Sequence, residues 1–253
     1  MALNESFLVP KWPLPENVRA LATTRLGGVS LPPYDSFNLG DHVNDSPDHV
    51  LQNRNKLAAR CQLPSRNLQW LNQVHGNFAC EALTDGVVRD ADASYTQNRN
   101  TVCAIMTADC LPILLCDKQG RQVAAVHAGW RGLAAGVIDN TLATFPQSLE
   151  VTAWLGPAIG PSAFEVGQDV VDAFTSSVND HLLALVRRAF TPVNTTEGKW
   201  LADLYALARI RLKALGVTDI HGGEYCTWNN HHQFYSYRRS GVTGRMASLI
   251  WLT

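Results

Sequence analysis

The sequence predicts a fold of mixed helices and strands, of the α/β or α+β class. Apolar residues make up 46% of the 253 positions and charged residues 17%, a balance typical of a packed globule with buried strands. Runs of β-branched and apolar residues alternate with segments in which apolar residues recur at helical spacing. Several strand-like runs follow one another directly, so the order does not match a repeating βαβ pattern.

The predicted strands are short apolar runs bounded by turn-forming residues. They lie at residues 18–24, 68–74, 101–107, 111–117, 122–128, 151–155 and 244–252. The three runs between residues 101 and 128 are separated by little more than a turn, so we expect them to be adjacent buried strands. Residues 25–40, which are rich in turn formers, are predicted to be an ordered loop.

Three segments are predicted to be helical. In the first, Pro47 suits the first helical position, with Asp45 or Ser46 as N-cap. After Gly129 the apolar spacing changes from that of a strand to that of a helix, which marks a strand-to-helix junction. The third segment, residues 201–215, is amphipathic and is followed by a glycine that favours a helix C-terminus.

Length and composition also bear on domain organisation and partners. No linker or repeat divides the chain, so we expect a single catalytic domain over residues 1–253. The formal net charge is −1 and the basic residues are spread out, which argues against nucleic acid and membrane and favours a small-molecule substrate. Without a signal-peptide pattern or a membrane-length apolar stretch, we expect a cytoplasmic protein.

The cysteines and the glycine motifs limit which kinds of site the chain can contain. The six cysteines form no CxxC pair, which favours free thiols or an isolated ligand over disulfides. The glycine-rich phosphate loops GxGxxG and GxxxxGK[ST] do not occur, so the common nucleotide-binding folds lose their main support.

Three chemically capable side chains lie at the ends of predicted strands. They are His75 in NQVHG, Cys110 in TADCLP and His127 in VHAGWRG. Two imidazoles and a thiolate suit zinc, and three protein ligands leave the fourth tetrahedral position open to water or substrate. Zinc held in this way would lower the pKa of its water toward neutrality. Asp109, next to the thiolate, is a candidate for orienting a ligand or taking a proton.

The residues alone leave simpler interpretations open. A single buried histidine is usually held by hydrogen bonds, and a single buried cysteine usually fills the core. Cys110 lies 35 residues after His75 and 17 before His127, so the spacing is not a motif by itself. The adjacent His231 and His232 would face opposite ways on an extended segment, which favours surface or hydrogen-bonding roles over a metal site.

A resemblance to a known family covers nearly the whole chain. Several segments resemble, in the same order, those of the YfiH family of bacterial laccase-domain or peptidoglycan-editing-factor proteins: NQVHG, TADCLPILL, HAGWRGLAAGV, GPAIGPSAFEVG, YCTW and FYSYRR. The resemblance extends from TTRLGGVS near residue 23 to the C-terminal GRMASLIWL.

The resemblance implies a fold, a site and an activity. The implied fold is a four-layer α/β/β/α sandwich with mixed sheets, similar to the cysteine-hydrolase fold of the cytotoxic necrotizing factors. It implies that His75, Cys110 and His127 are metal ligands, with Zn²⁺ as the metal and Cu²⁺ as the alternative. The implied activity is phosphorolysis of adenosine, inosine, guanosine and S-methyl-5′-thioadenosine, and deamination of adenosine.

Phosphate and purine would each need recognition groups. The candidates for an anion pocket are Arg25, Arg131, Arg238, Arg239 and the helix N-terminus after Gly129. The candidates for a purine slot and its hydrogen bonds are Phe37, Asn38, Gln73, Trp130, Phe164 and Tyr225. Glu165 is a candidate substrate contact and, with Asp109, a candidate proton carrier.

Other functions remain open. A metal-free cysteine hydrolase would use Cys110 as nucleophile and His127 or His75 as base, removing a wrong amino acid from a UDP-MurNAc cell-wall precursor. A copper-dependent polyphenol oxidase is disfavoured because multicopper sites need many histidines, usually in HxH pairs, and no such pair occurs. A structural metal clip is disfavoured because only three ligands are convincing. We expect a monomer or weak homodimer.

Overall fold

The computed structural model describes residues 6–147, 150–176, 178–193 and 197–253. The helices are α1 (Pro47–Cys61), α2 (Trp130–Ala134), α3 (Val137–Leu142), α4 (Gln168–Thr175), α5 (Asp180–Arg188), α6 (Leu204–Ala214) and α7 (Tyr237–Ser240). The strands are β1 (Phe7–Leu8), β2 (Val18–Thr23), β3 (Leu68–Gln69), β4 (Leu71–Asn72), β5 (Ala79–Glu81), β6 (Arg89–Asp90), β7 (Ala93–Thr96), β8 (Val102–Thr107), β9 (Leu111–Asp117), β10 (Val123–Ala128), β11 (Val151–Leu155), β12 (Glu165–Gly167), β13 (Phe190–Pro192), β14 (Lys199–Ala202), β15 (Ile220–Gly222) and β16 (Met246–Leu252).

These strands form two large mixed sheets and two small sheets. The five-stranded sheet has the order β1-β2-β16-β8-β3, and its β3–β8 pair is parallel while the other pairs are antiparallel. The six-stranded sheet has the order β15-β11-β9-β10-β7-β5, with parallel pairs at both edges. The small sheets are β12-β14-β13 and β4-β6. The predicted mixed α/β class with mixed sheets is confirmed.

The two large sheets share a hydrophobic core. One cluster of buried side chains contains Ile105 and Ile250 from the five-stranded sheet and Leu114, Val123 and Trp154 from the six-stranded sheet. A second cluster joins the five-stranded sheet to α1, and a third joins the six-stranded sheet to helices α2 to α6. Burial of apolar area on both faces explains why these strands read as continuous apolar runs. The exact order of four layers stays a prediction.

One topological prediction was wrong. β8, β9 and β10 were expected to be adjacent, but only β9 and β10 pair, while β8 lies in the other large sheet beside β16. The chain crosses between the sheets through Asp109, whose φ of 92° lies in the left-handed region. Because both sheets are buried, strands that enter either one have the same apolar composition.

Two other predicted elements differ in detail. The predicted strand at 68–74 is divided into β3 and β4, which pair with different sheets. The helix predicted at 201–215 begins at Leu204, because Asp203 caps it by accepting a hydrogen bond from the backbone N–H of Ala206. The first helix begins at Pro47 as predicted, with Ser46 as N-cap.

Two simpler expectations can be compared with the described residues. All six cysteines are free thiols, as the lack of CxxC pairs predicted. In the described part of the chain, no helix combines the length and the apolar character needed to cross a bilayer.

We predict that Leu114→Ala lowers the free energy of unfolding by about 2–5 kcal/mol, because it leaves a cavity between the two sheets. The Leu114 side chain is fully buried there. Leu51→Ala on α1 is the matched control, since that side chain is 58% exposed, and its effect should stay within about 0.5 kcal/mol. Urea denaturation measures both variants. Equal, small losses would contradict a shared core at this position.

Candidate metal centre

The structure brings His75, Cys110 and His127 together. One ligand atom from each residue lies within 4.8 Å of the others, and Cys110 Sγ lies 4.0 Å from His75 Nε2. The two imidazole rings meet edge to face, with centroids 4.9 Å apart. Within the described ranges, this is the only group of three or more His, Cys, Asp or Glu side chains close enough to share a metal ion.

The three side chains lie on three different backbone elements: a strand, the residue before a strand, and a loop. His127 lies near the end of β10, where it is buried and opposite Pro112 of β9 in the antiparallel register. Cys110 directly precedes β9, so the crossing between the two sheets delivers it beside the end of β10. His75 lies on an exposed loop after β4 and has a φ of 61°. The site therefore depends on sheet pairing and on one held loop.

The loop is held by Asp92, which the sequence analysis missed. Asp92 Oδ1 lies 2.7 Å from His127 Nδ1 and also accepts the backbone N–H of His75 at 3.0 Å. Its Oδ2 accepts the backbone N–H groups of Gly76 at 2.6 Å and Val74 at 3.3 Å. The carboxylate is fully buried. An acidic residue entering an apolar strand was the available signal, since buried carboxylates need several donors.

Asp92 also selects the ligand atom of His127. Because Nδ1 of His127 bonds the carboxylate, Nε2 is left to face a metal. A metal-bound histidine commonly donates its other ring N–H to a carboxylate, which fixes the ring orientation. Burial alone would raise the pKa of Asp92, and the hydrogen bond from His127 brings that pKa below the usual value.

The electrostatics of the site favour a thiolate. Burial raises the pKa of Cys110, but the charge and hydrogen bonds of His127 and then His75 outweigh it, so the pKa lies below that of an ordinary thiol. Burial lowers the pKa of His127, and the charge of Cys110 and the bond to Asp92 outweigh that effect, so its pKa is raised. The deprotonated sulfur is the form that ligates metal or attacks as a nucleophile.

Gly129 keeps space open beside the ligands. A Cβ atom at this position would lie 3.0 Å from Cys110 Sγ and 3.3 Å from His75 Cδ2. The residue has a φ of −60°, so the requirement for glycine is the close approach and not the backbone conformation. The absence of a side chain at Gly129 thus leaves room for Cys110 and His75.

The three side chains open into a cavity of about 350 Å³. Its walls are formed by His42, Gln73, His75, Met106, Thr107, Ala108, Cys110, His127, Tyr237 and Arg245. Sequence reasoning missed His42, Met106, Tyr237 and Arg245 as parts of the wall. Met106 and Arg245 lie in predicted buried strands, and Tyr237 lies in the FYSYRR segment. For Arg245, the available signal was a charged residue at the entry to the last apolar strand.

Gln73 and Asn38, two predicted substrate contacts, form hydrogen bonds with backbone groups of residues around the cavity. Gln73 lines it, but its amide donates to the carbonyl of Met106 at 2.8 Å and accepts the N–H of the same residue at 2.7 Å. Asn38 is fully buried, and its Oδ1 accepts the backbone N–H groups of Gly40 and Arg245. Both amides are engaged with protein groups.

The predicted anion-binding residues do not line this cavity. Arg25 pairs with Asp35 at 3.1 Å, and Arg131 lies over the ring of Trp130. The helix that follows Gly129, α2, has only five residues.

Two further arginines bond to backbone carbonyls. Arg238 donates to the carbonyl of Glu165 at 2.7 Å and lies over the ring of Phe164. Arg239 donates to the carbonyl of Thr227 at 2.6 Å. The side chain of Glu165 is exposed on β12, and Glu165 is not part of the cavity wall. These guanidinium groups stabilise the loops around the site.

The carboxylate of Asp109 faces the C-terminal segment. Its Oδ1 accepts from Thr227 Oγ1 at 2.5 Å, and its Oδ2 accepts from Ser236 Oγ at 3.0 Å and from the backbone N–H of Arg238 at 2.7 Å. Both oxygens are thus engaged. This arrangement fixes the turn that carries Cys110.

The remaining aromatic and histidine candidates lie outside the cavity wall. Phe37 is fully buried in the core, and Tyr225 packs edge to face on Phe234 with centroids 5.6 Å apart. The rings of His231 and His232 lie 4.0 Å apart on a turn. The expectation that they face opposite ways was therefore wrong, because the segment is not extended.

Fold and site together define a class of protein. Residues 19–253 match the family described as multi-copper polyphenol oxidoreductase laccase. The chain therefore carries a laccase-domain fold, with a His–Cys–His group that could hold a metal ion.

More specific relatives cover the whole length. The chain is 51% identical over 247 residues to purine nucleoside phosphorylase YfiH of Escherichia coli, covering 97% of this chain and 98% of the relative. It is 53% identical to a purine nucleoside phosphorylase of Pseudomonas aeruginosa, covering 98% of each. A crystal structure of a Neisseria meningitidis protein matches with a TM-score of 0.90 at 50% identity, covering 98% of this chain and 99% of that one. The chain belongs to the YfiH family.

We predict that Asp92→Asn lowers affinity for a divalent metal by about 10- to 100-fold, because the charged partner of His127 is lost. Competition between the protein and a chelating dye for Zn²⁺ measures this affinity. Asp90→Asn is the matched control, since Asp90 is exposed and bonds only Asn72 among the described residues. Equal affinities in the two variants would remove Asp92 from the metal site.

In metal-free protein, we predict that Cys110 is alkylated at a lower pH than an ordinary thiol. A lowered pKa means that the reactive thiolate already forms at lower pH. The rate of iodoacetamide labelling of the Cys110 peptide, followed by mass spectrometry across pH, measures this. His127→Gln should shift the midpoint upward. A wild-type midpoint at or above about 8.5, the value of a free cysteine, would contradict the prediction.

Proposed function

We propose that the protein is a zinc-dependent purine nucleoside enzyme. It catalyses phosphorolysis of adenosine, inosine, guanosine and S-methyl-5′-thioadenosine and deaminates adenosine at the same site. The observation that carries this proposal is the convergence of His75, Cys110 and His127 on one cavity of about 350 Å³. That volume lies in the range of small-molecule sites, about 300–1,000 Å³. The Escherichia coli and Pseudomonas aeruginosa relatives are named as purine nucleoside phosphorylases, which supports the substrate class.

The proposal extends to the organisation of the protein. Residues 1–253 act as one cytoplasmic catalytic domain, working as a monomer or weak homodimer. Near-complete coverage of relatives of similar length supports the extent of the domain.

The donor set fits zinc. Two imidazole nitrogens and a thiolate sulfur are ligands that zinc accepts, and three of them leave one position for water or substrate. Asp92 turns Nε2 of His127 toward the shared point, and the low pKa of Cys110 provides the thiolate. The same donors also suit copper, which is the alternative metal. When bound, zinc supplies Lewis acidity and lowers the pKa of a coordinated water.

The residues of the chain position the reactants for two reactions. In phosphorolysis, a phosphate oxygen forms a bond to ribose C1′ while the glycosidic bond to purine N9 breaks, and the purine takes up the proton that phosphate loses. In deamination, water adds at purine C6 and ammonia leaves. Gln73 and Met106 form a rigid wall for the nucleoside, since their two mutual hydrogen bonds hold that wall together.

A second candidate function is amide hydrolysis on a peptidoglycan precursor. The order Cys110, His127 and Asp92 is that of a nucleophile, a base and the carboxylate that orients the base. The raised pKa of His127 and the lowered pKa of Cys110 favour an ion pair of the kind found in cysteine hydrolases. This geometry needs no metal.

Polyphenol oxidation has less support. The description of the matching family names several coppers, and a multicopper oxidase needs several histidine-rich sites. The described residues offer one group of ligands with two histidines. We therefore rank this activity below the other two.

The test of the nucleoside proposal is product analysis with adenosine, with and without phosphate. Ribose-1-phosphate with adenine supports phosphorolysis, and inosine supports deamination. We predict that Cys110→Ala abolishes both products and reduces bound zinc, because one of three ligands is lost. Cys226→Ala is the matched control, since Cys226 is half-buried outside the cavity wall and should retain activity.

Other results would point elsewhere. No product from zinc-loaded wild-type protein would contradict the nucleoside proposal. Full zinc content with no turnover in Cys110→Ala would favour the nucleophile role of the hydrolase. Circular dichroism should show that both variants are folded.

A further inference from the structure

One arginine contributes to the wall of the metal-site cavity. Arg245 directly precedes β16 and is half-buried. It is the only Arg or Lys among the residues that line the cavity, and no Asp or Glu is among them. A permanent positive charge therefore borders the cavity without a carboxylate in the wall to neutralise it.

The guanidinium of Arg245 has donors to spare. Its Nη1 donates to the carbonyls of Thr243 at 2.9 Å and Gly244 at 3.1 Å. Among the described residues, its Nε and Nη2 have no acceptor and its guanidinium forms no ion pair. By contrast, Arg25 and Arg211 each pair with an aspartate. Adjacent guanidinium N–H groups suit two oxygens of one oxyanion.

The position of Arg245 is fixed by its neighbours. Asn38 Oδ1 accepts the backbone N–H of Arg245 at 2.8 Å. A Cβ atom on Gly40 would lie 2.8 Å from Cγ of Arg245, so glycine leaves room for the aliphatic stem. The guanidinium also lies 5.9 Å from the ring centroid of Tyr237. Asn38 was expected to contact substrate. It instead holds Arg245 in position.

Arg245 lines the same cavity as the three candidate metal ligands. Burial lowers the pKa of Arg245, and the negative charge of Cys110, ahead of that of Asp109, opposes this effect. An anion bound by Arg245 would therefore lie in the same cavity as the thiolate. Metal at the three ligands would offset the repulsion between the two negative groups.

We propose that Arg245 forms the phosphate subsite of this cavity and that its ligand is free inorganic phosphate. The inference rests on the proposed phosphorolysis and names the group that binds its second substrate. The oxyanion accepts from Nε and Nη2 of Arg245. Phosphate then supplies the oxygen that bonds to ribose C1′ as the C1′–N9 bond breaks, and the proton it loses balances the one that the purine gains.

The experiment compares Arg245→Gln and Arg245→Lys with the wild type in the zinc-loaded protein. Arg187→Gln on the exposed face of α5 is the matched control, since Arg187 is far in sequence from every cavity residue and does not line the wall. Binding of inorganic phosphate alone is measured by ³¹P NMR. Steady-state assays give KM for phosphate, KM for adenosine and the rate of deamination without phosphate.

We expect Arg245→Gln to raise Kd and KM for phosphate by about tenfold or more, the usual effect of losing charged hydrogen bonds. Arg245→Lys should lie between that variant and the wild type, because it keeps charge but not the paired donors. KM for adenosine and the deamination rate should change less than about twofold, within the range of a lost minor contact. The Arg187→Gln control should match the wild type.

Unchanged phosphate binding in a folded Arg245→Gln would overturn the inference while leaving phosphorolysis in place. Equal losses in phosphate binding, adenosine KM and deamination would also overturn it, since they indicate a general structural role. Weaker binding of adenosine monophosphate with unchanged inorganic phosphate would assign Arg245 to nucleotides instead. If Arg245→Gln is unfolded by circular dichroism, the same comparison with Arg245→Lys decides. Absence of ribose-1-phosphate in the wild type is a failure of the proposed function, and ³¹P NMR still tests the subsite.

Discussion

The candidate metal centre depends on one buried carboxylate. Asp92 bonds the ring of His127 on a strand and, with the same two oxygens, the backbone N–H groups that shape the His75 loop. The backbone carbonyl of Asp92 also accepts the N–H of His127. Because a buried carboxylate is stable only when its oxygens are satisfied, strand and loop are held in one arrangement. Two of the three candidate ligands, His75 and His127, are thus fixed relative to each other by the protein itself.

The third candidate ligand, Cys110, reaches the site through the crossing between the sheets. β8 ends in one large sheet and β9 begins in the other, so Cys110 lies where the chain passes between them. Asp109 fixes this passage through Thr227, Ser236 and the backbone of Arg238, all from the C-terminal part of the chain. The turn is held by groups more than a hundred residues away in the sequence, so the position of the sulfur depends on the tertiary fold.

The arginines around the site divide into two groups. Arg25, Arg238 and Arg239 bond carbonyls or a carboxylate and hold loops together. Arg245 borders the cavity with two nitrogens that lack an acceptor among the described residues. The difference lies in their position, since Arg245 lines the cavity and Arg25, Arg238 and Arg239 do not. From residue type alone, all of these arginines were equally able to bind an anion.

Sequence patterns predicted the mixed class, the first helix, the buried strands and the three candidate ligands. These follow from local information, because periodicity, turn formers and residue type act over a few neighbours. The folded structure was needed to show which sheet β8 joins, that Asp92 holds two candidate ligands, and that Arg245 and not Arg131 borders the cavity. Those outcomes depend on contacts between distant segments, and residue spacing along a chain does not encode which buried partner a side chain meets.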